Sequence, residues 1–203
     1  ALIDNDGKGV FPDLNQDDVA VLQYTGGTTG TPKGAMLTHN SLSANARQVN
    51  AIDPDPELPA RLVGVLPFFH VFANTCVLNR TMVSGGMIAM LPRFDAKACL
   101  RTISRVQGTS LPGVPTMYQA LLDHADIAKT DFSHMRVCVS GGAPLPAEVK
   151  ARFEATTGAI VVEGYGLTES SGVISTNPYK GTNKPGTIGQ PLPATHIRLL
   201  DRE

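Results

Sequence analysis

The residues with the greatest chemical capacity lie in Tyr24–Gly34, YTGGTTGTPKG, where glycines and threonines lead to a lysine. Gly26, Gly27, Gly30 and Gly34 let backbone N–H groups approach an anion closely. Successive N–H groups in such a loop form a concave anion site, and Lys33 adds a mobile point charge. The hydroxyls of Thr25, Thr28, Thr29 and Thr31 supply neutral donors that can follow a moving phosphate. The pattern is not a Walker A loop. Pro32 precedes Lys33 and Gly34 follows it, so no hydroxyl stands after the lysine to hold a magnesium ion. An ordinary surface loop is the plain alternative, but a linker has no need of this order after Val19–Leu22, which reads as a buried strand.

A second group lies in Val161–Gly172, VVEGYGLTESSG. It fails as a dinucleotide fingerprint because Glu169 stands where the third glycine is required. A turn of small residues there could present Tyr165 for stacking on a purine, Thr168 as a donor to a phosphoryl oxygen, and Glu169 as a ligand for a hard divalent cation. The competing reading makes Tyr165 a core aromatic and Glu169 a surface charge. A third segment, SGGAPLP at Ser140–Pro146, joins a strand to a helix and leaves room for a flat ligand. In the fourth, PFFHVFAN at Pro67–Asn74, His70 among phenylalanines reads either as a packed core histidine or as a catalytic one.

The intervening sequence supplies elements to position these groups. Apolar runs at Leu62–Leu66, Met87–Leu91, Val137–Val139 and Ile160–Val162, with a weaker one at Ser110–Leu111, predict strands. Helices are predicted over Ser41–Val49 with a cap at Asn40 or Ser41, over Ala96–Val106, over Thr116–His124 after Pro115, and over Ala147–Thr156 after Pro146. This alternation predicts an α/β fold, a largely parallel sheet with flanking helices, whose ligands gather at the carboxyl ends of strands.

The 203 residues suffice for a sizeable core, and 42% hydrophobic with 17% charged residues describes a globular chain. A net charge of −1 without a Lys/Arg block argues against a nucleic-acid partner or an anionic membrane surface. No apolar run is long enough for a spanning helix and no signal peptide is read at the start. Cys76, Cys99 and Cys138 lack metal-ligand spacing and read as buried free thiols in a reducing compartment.

In order and spacing, YTGGTTGTPKG, the PFFHVF block, SGGAPLP, EGYGLTES at Glu163–Ser170 and GTIGQPLP at Gly186–Pro193 resemble the adenylate-forming family. That family comprises acyl-CoA synthetases, luciferases and peptide-synthetase adenylation domains. With Asn177–Tyr179 added, the resemblance is closest to bacterial long-chain fatty-acid–CoA ligases. It implies that a carboxylate attacks the α-phosphate of ATP to give acyl-AMP and pyrophosphate, and that coenzyme A then displaces AMP. It also implies that Thr25 to Lys33 clasps the β- and γ-phosphates, and that Gly142, Ala143, Pro144, Glu163, Gly164 and Tyr165 line the adenine pocket. Thr168 would bind the α-phosphate, Glu169 with Thr25 would coordinate Mg²⁺, and His70 would lie near the α-phosphate and the acyl carboxylate. No nucleophilic side chain is required, because the substrate carboxylate is the nucleophile. The alternatives are an adenylation domain that loads a carrier protein and a nucleotide-binding segment without catalysis.

Some relatives place a large aromatic a few residues after the histidine as a tunnel gate, where this chain has Ala73 and Asn74. The resemblance further implies that residues 1–203 are a central part of the AMP-binding large domain. The amino-terminal portion and the mobile carboxyl-terminal domain would lie outside it, leaving this segment alone inactive. A cytoplasmic enzyme is expected, either free or peripheral at the inner membrane face.

Overall fold

The computed structural model describes residues 12–26 and 32–201. β1 (Val19–Thr25) and β2 (Lys33–Thr38) pair antiparallel, with Thr25 opposite Lys33. The strand expected to be buried is therefore half of a separate two-stranded sheet, and Val19, Leu22 and Tyr24 are exposed. Its other face explains how so small a sheet holds: Ala20, Val21 and Ala35 pack against Leu37, Leu42 and Val71. Thr38 ends β2 and caps α1 (His39–Ala51). Its Oγ1 accepts from the Ser41 N–H at 3.1 Å, while Ser41 Oγ accepts from the Thr38 N–H at 3.0 Å. The cap is thus Thr38 rather than Asn40 or Ser41, and Ser41 fills the position more often taken by Glu or Gln in a capping box.

After β3 (Arg61–Gly64), α2 (Val71–Ala73) runs through a π-helical turn, Asn74–Asn79, into α3 (Arg80–Ser84). There follow β4 (Met87–Met90), α4 (Ala96–Val106), β5 (Ser110–Gly113), α5 (Pro115–Leu122), β6 (Val137–Ser140), α6 (Ala147–Thr157), β7 (Val161–Leu167), β8 (Gly172–Thr176) and β9 (Gln190–Pro191). The main sheet has the order β4-β3-β5-β6-β7-β8-β9. It is parallel from β4 to β7 and antiparallel beyond. The largely parallel α/β architecture expected from the sequence is present.

One face of the sheet packs Val63, Leu111, Cys138 and Val161 against Leu100 and Ile103 of α4, Tyr118 and Leu121 of α5, and Phe153 of α6. Full burial of each such large apolar side chain contributes about 1.5–3 kcal/mol. Across the sheet, Val137, Val139 and Val162 meet Ile52, Phe72 and Tyr179. The Tyr118 hydroxyl shares its one proton between the carbonyls of Leu111 (2.7 Å) and Val139 (3.0 Å), tying β5 to β6 just before the Ser140–Pro146 loop. At the foot of α3 the buried Arg80 guanidinium pairs with the buried carboxylate of Asp53.

Cys76, Cys99 and Cys138 are buried and free. Burial pushes their thiols up, those of Cys76 and Cys99 to about 12, so none offers a thiolate nucleophile. Among the described residues no helix is long and apolar enough to cross a membrane.

Candidate active site

Three parallel strands deliver the chemical groups at their carboxyl ends, as expected: β3 leads to His70, β6 to Gly141–Pro146, and β7 to Tyr165 and Thr168. The lysine motif arrives differently. Thr25 and Lys33 face each other where β1 and β2 diverge, and Thr25 Oγ1 lies 3.5 Å from the Lys33 carbonyl. Gln23 fastens this hairpin to the histidine loop by donating to the Phe69 carbonyl at 2.7 Å. Gly27, Thr28, Thr29, Gly30 and Thr31, expected to hold phosphates, lie outside the described residues.

A cavity of about 540 Å³ joins these pieces, lined by Thr25, Gly26, Lys33, His70, Thr168 and Glu169 on its polar side. Val71, Phe72, Val139 and Val173 form an apolar wall. Beside it, a space of about 360 Å³ is bounded by Gly142, Ala143, Pro144, Glu163, Gly164 and Tyr165. Tyr165 lines both and is 41% exposed, which rules out the core-aromatic reading. All six residues expected around adenine thus border one cleft.

His70 is exposed at the cavity edge and is not the packed core histidine that its phenylalanine neighbours suggested. Its neighbours divide: Phe69 is 81% exposed, Phe68 packs against Ala60, Leu62 and Val77, and Phe72 lies in the cavity wall against Val139. His70 caps α2, with Nδ1 accepting from the Phe72 N–H at 3.1 Å. With Nδ1 accepting, the ring proton sits on Nε2, which is left to donate.

Gly164 to Leu167, expected as a turn, continues β7 and pairs with β8. The turn itself is a short 3-10 segment, Thr168–Ser170, closed by Ser170 Oγ, which accepts from the Leu167 N–H at 3.2 Å. Gly166 is required here: a Cβ would fall 1.9 Å from the Gly172 carbonyl oxygen. Thr168 is half-buried, and the exposed Glu169 carboxylate makes no hydrogen bond or ion pair among the described residues. No cluster of three or more His, Cys, Asp or Glu side chains suited to a metal occurs among those residues. A single open carboxylate in a cavity that Lys33 also lines still fits magnesium, which commonly takes one or two carboxylates and completes its shell with water and substrate phosphates.

Glu163 behaves differently from Glu169. It is buried, with Oε1 accepting from the Leu145 N–H at 3.1 Å and Oε2 from the Gly186 N–H at 2.8 Å. Its carboxylate braces the two loops that flank the smaller space. The sequence reading missed Ser41, Asn45 and Thr75, which grip the Thr168–Gly172 turn from behind. For Asn45 a signal existed: it is an amide inside the buried Leu42, Ala46 and Val49 stripe of α1.

Comparison with known proteins agrees with this arrangement. The chain is 45% identical over 189 residues to a long-chain-fatty-acid–CoA ligase of Bacillus subtilis (strain 168), covering 93% of this chain and 34% of that protein. It is 38% identical over 191 residues to a feruloyl-CoA synthase of an Amycolatopsis species, covering 93% and 38%. The structure of ATP-bound MatB from Rhodopseudomonas palustris superposes with a TM-score of 0.81 at 38% identity, covering 90% of this chain and 35% of that one. The chain thus spans about a third of the length of these relatives. The profile of the AMP-binding enzyme family matches residues 4–203. With the profile spanning nearly every residue and the cleft assembled from the motifs that suggested it, this chain belongs to the AMP-binding enzyme family.

Proposed function

We propose that residues 1–203 form part of the large domain of a cytoplasmic, ATP-dependent acyl-CoA ligase acting on long-chain fatty acids. The observation that carries this is the single cavity gathering Lys33, His70, Thr168 and Glu169 beside an apolar wall. The identity to the Bacillus ligase supports the long-chain substrate. A carboxylate oxygen of the fatty acid attacks the α-phosphorus of ATP, and the bond to the bridging β-phosphate oxygen breaks as pyrophosphate leaves. The sulfur of coenzyme A then attacks the acyl carbonyl carbon, loses its proton, and expels AMP.

Displacement at phosphorus needs positioning and charge neutralisation more than covalent help from the protein. Lys33 supplies charge to the β- and γ-phosphates from the mouth of the hairpin. Thr168 donates to an α-phosphoryl oxygen, and His70 Nε2–H donates to the acyl carboxylate or the adjacent α-phosphate. Tyr165 stacks on adenine between Gly142–Pro144 and the strand. Mg²⁺, held by Glu169 with Thr25 nearby, would neutralise phosphate charge.

Acyl-AMP and acyl-CoA formation should be measured in the enzyme of full family length, with acids ranging from short to long chain and an aromatic acid. Long-chain acyl-CoA is expected. Transfer to a holo carrier protein without transfer to coenzyme A would overturn the reading. The 203-residue chain alone should make no acyl-CoA, because missing positioning groups can remove several kcal/mol of barrier reduction. Steady product from purified chain, with contaminating ligase excluded, would sink that expectation.

Lys33→Ala should weaken ATP binding by about 1.5–3 kcal/mol, the range for a hydrogen bond to a charged group. The exposed position at the start of β2 leaves the melting temperature nearly unchanged. Calorimetric ATP affinity and melting temperature measured together decide it; lost stability with intact affinity would make Lys33 structural.

A further inference from the structure

The turn that carries Thr168 and Glu169 is held by side chains that never reach the cavity. Ser171 and Gly172, which return the chain to β8, have φ of +63° and +134°. Such backbone persists where its surroundings over-determine it. Here they do so at three points. The Asn45 carboxamide bonds both polar groups of Val173, with Nδ2 donating to the carbonyl at 2.7 Å and Oδ1 accepting from the N–H at 2.9 Å. It stands where a neighbouring strand would, and Gln48 Oε1 takes its remaining amide hydrogen at 3.0 Å. Thr75 Oγ1, from the π-helical turn, donates to the Ser171 carbonyl at 2.6 Å. The Ser171 and Ser41 hydroxyls are bonded at 2.8 Å.

These contacts also join the two phosphate-facing pieces. Ser41 is bonded to Thr38, the last residue of the strand that begins at Lys33. A path of direct bonds therefore runs from β2 through Ser41 to Ser171, three residues beyond Thr168. Asn45, Thr75 and Ser171 are 5%, 0% and 1% exposed, so water does not readily replace a lost partner. Gly172 lets the clamp close: a Cβ there would lie 2.9 Å from Asn45 Oδ1 and 3.0 Å from Thr75.

We infer that Asn45, Thr75 and Ser41 are positioning residues that set Thr168 and Glu169 against the hairpin bearing Lys33, and thereby the magnesium requirement of the adenylation step. This rests on the function proposed above. A catalytic group must be held within about 0.5 Å of its productive place, and the side chains behind it do that holding.

The test uses the enzyme of full family length. Thr75→Val removes the donor at nearly constant shape, Thr75→Ser keeps it, and Asn45→Leu removes both bonds to Val173. Phe153→Leu, on the opposite face of the sheet, is the stability control. Thr75→Val and Asn45→Leu should slow acyl-AMP formation about tenfold or more. They should raise the magnesium concentration for half-maximal rate and weaken magnesium-dependent ATP binding by calorimetry in the same proportion. Thr75→Ser should recover the wild-type requirement, and Phe153→Leu should keep it despite a lower melting temperature. Variants that lose stability like Phe153→Leu yet keep the wild-type magnesium dependence would overturn the clamp. If Asn45→Leu fails to fold, the Thr75→Val and Thr75→Ser pair decides alone. An unchanged magnesium requirement in Glu169→Gln sinks the reading of the site, and the clamp with it. A changed requirement in Glu169→Gln with unaffected clamp variants sinks the clamp only.

Discussion

Glu169→Gln, in the enzyme of full family length, is expected to lower acyl-AMP formation by about 10²-fold or more at ordinary magnesium, or about 2.7 kcal/mol of barrier. The substitution keeps size and removes charge. Its exposed carboxylate bonds to nothing else among the described residues, so the melting temperature should hold, as for most surface substitutions, within about 0.5 kcal/mol. That separation gives the experiment its force, because a loss of rate without loss of fold assigns Glu169 to the chemistry. Pyrophosphate exchange over a magnesium titration reads it directly. Near-normal exchange would remove Glu169 from the site and leave Thr168 as the turn's only contributor.

Gly166→Ala should do the opposite, damaging fold and activity together. The added methyl would fall 1.9 Å from the Gly172 carbonyl oxygen, a backbone atom that cannot swing aside as a side-chain tip can. β7 and β8 already slip register between Tyr165 and Gly166, so the strand pair has to open further. Overpacking of this kind costs about 3 kcal/mol or more. In a domain of this size that lowers the melting temperature by about 6–12 °C. Because Tyr165 and Thr168 sit on either side of Gly166, ATP binding should fall with stability. A variant with the wild-type melting temperature would show that the strands separate at little cost.

What the sequence discloses depends on how local each cause is. α4 spans Ala96–Val106 as predicted, since an apolar stripe and the Asp95 cap, accepting from the Ala98 N–H at 2.8 Å, both lie within a few residues. β5 was harder to see because it carries Pro112 in a central strand. The Gly113 carbonyl accepts from the Gly141 N–H at 3.1 Å, which turns Pro112 toward β3. There the pairing is confined to Leu62 with Ser110, so the missing N–H breaks no ladder bond. Lys33, His70, Tyr165, Thr168 and Glu169, which line one cavity, could be picked out from residue type and order, because they are polar or aromatic side chains in short motifs. The exposure of His70, the double engagement of Glu163 by Leu145 and Gly186, and the grip of Asn45 on Val173 were not. Each depends on partners brought together by the sheet, 128 positions apart for Asn45.

The π-helical turn has a consequence for the angular phase of the site. Its helix carries His70 as the cap at one end and Arg80, paired with Asp53, near the other, with Thr75 between them. Each α-helical residue turns the chain by about 100° and advances it 1.5 Å. The π-helical turn takes up more residues per turn than the α-helix on either side, so Asn74–Asn79 advances the phase between His70 and the buried arginine by less than an α-helical stretch of that length would. The wide turn behaves as a phase-setting joint between a buried anchor and the end that carries His70, so the width of this turn sets the angle at which His70 meets the cavity.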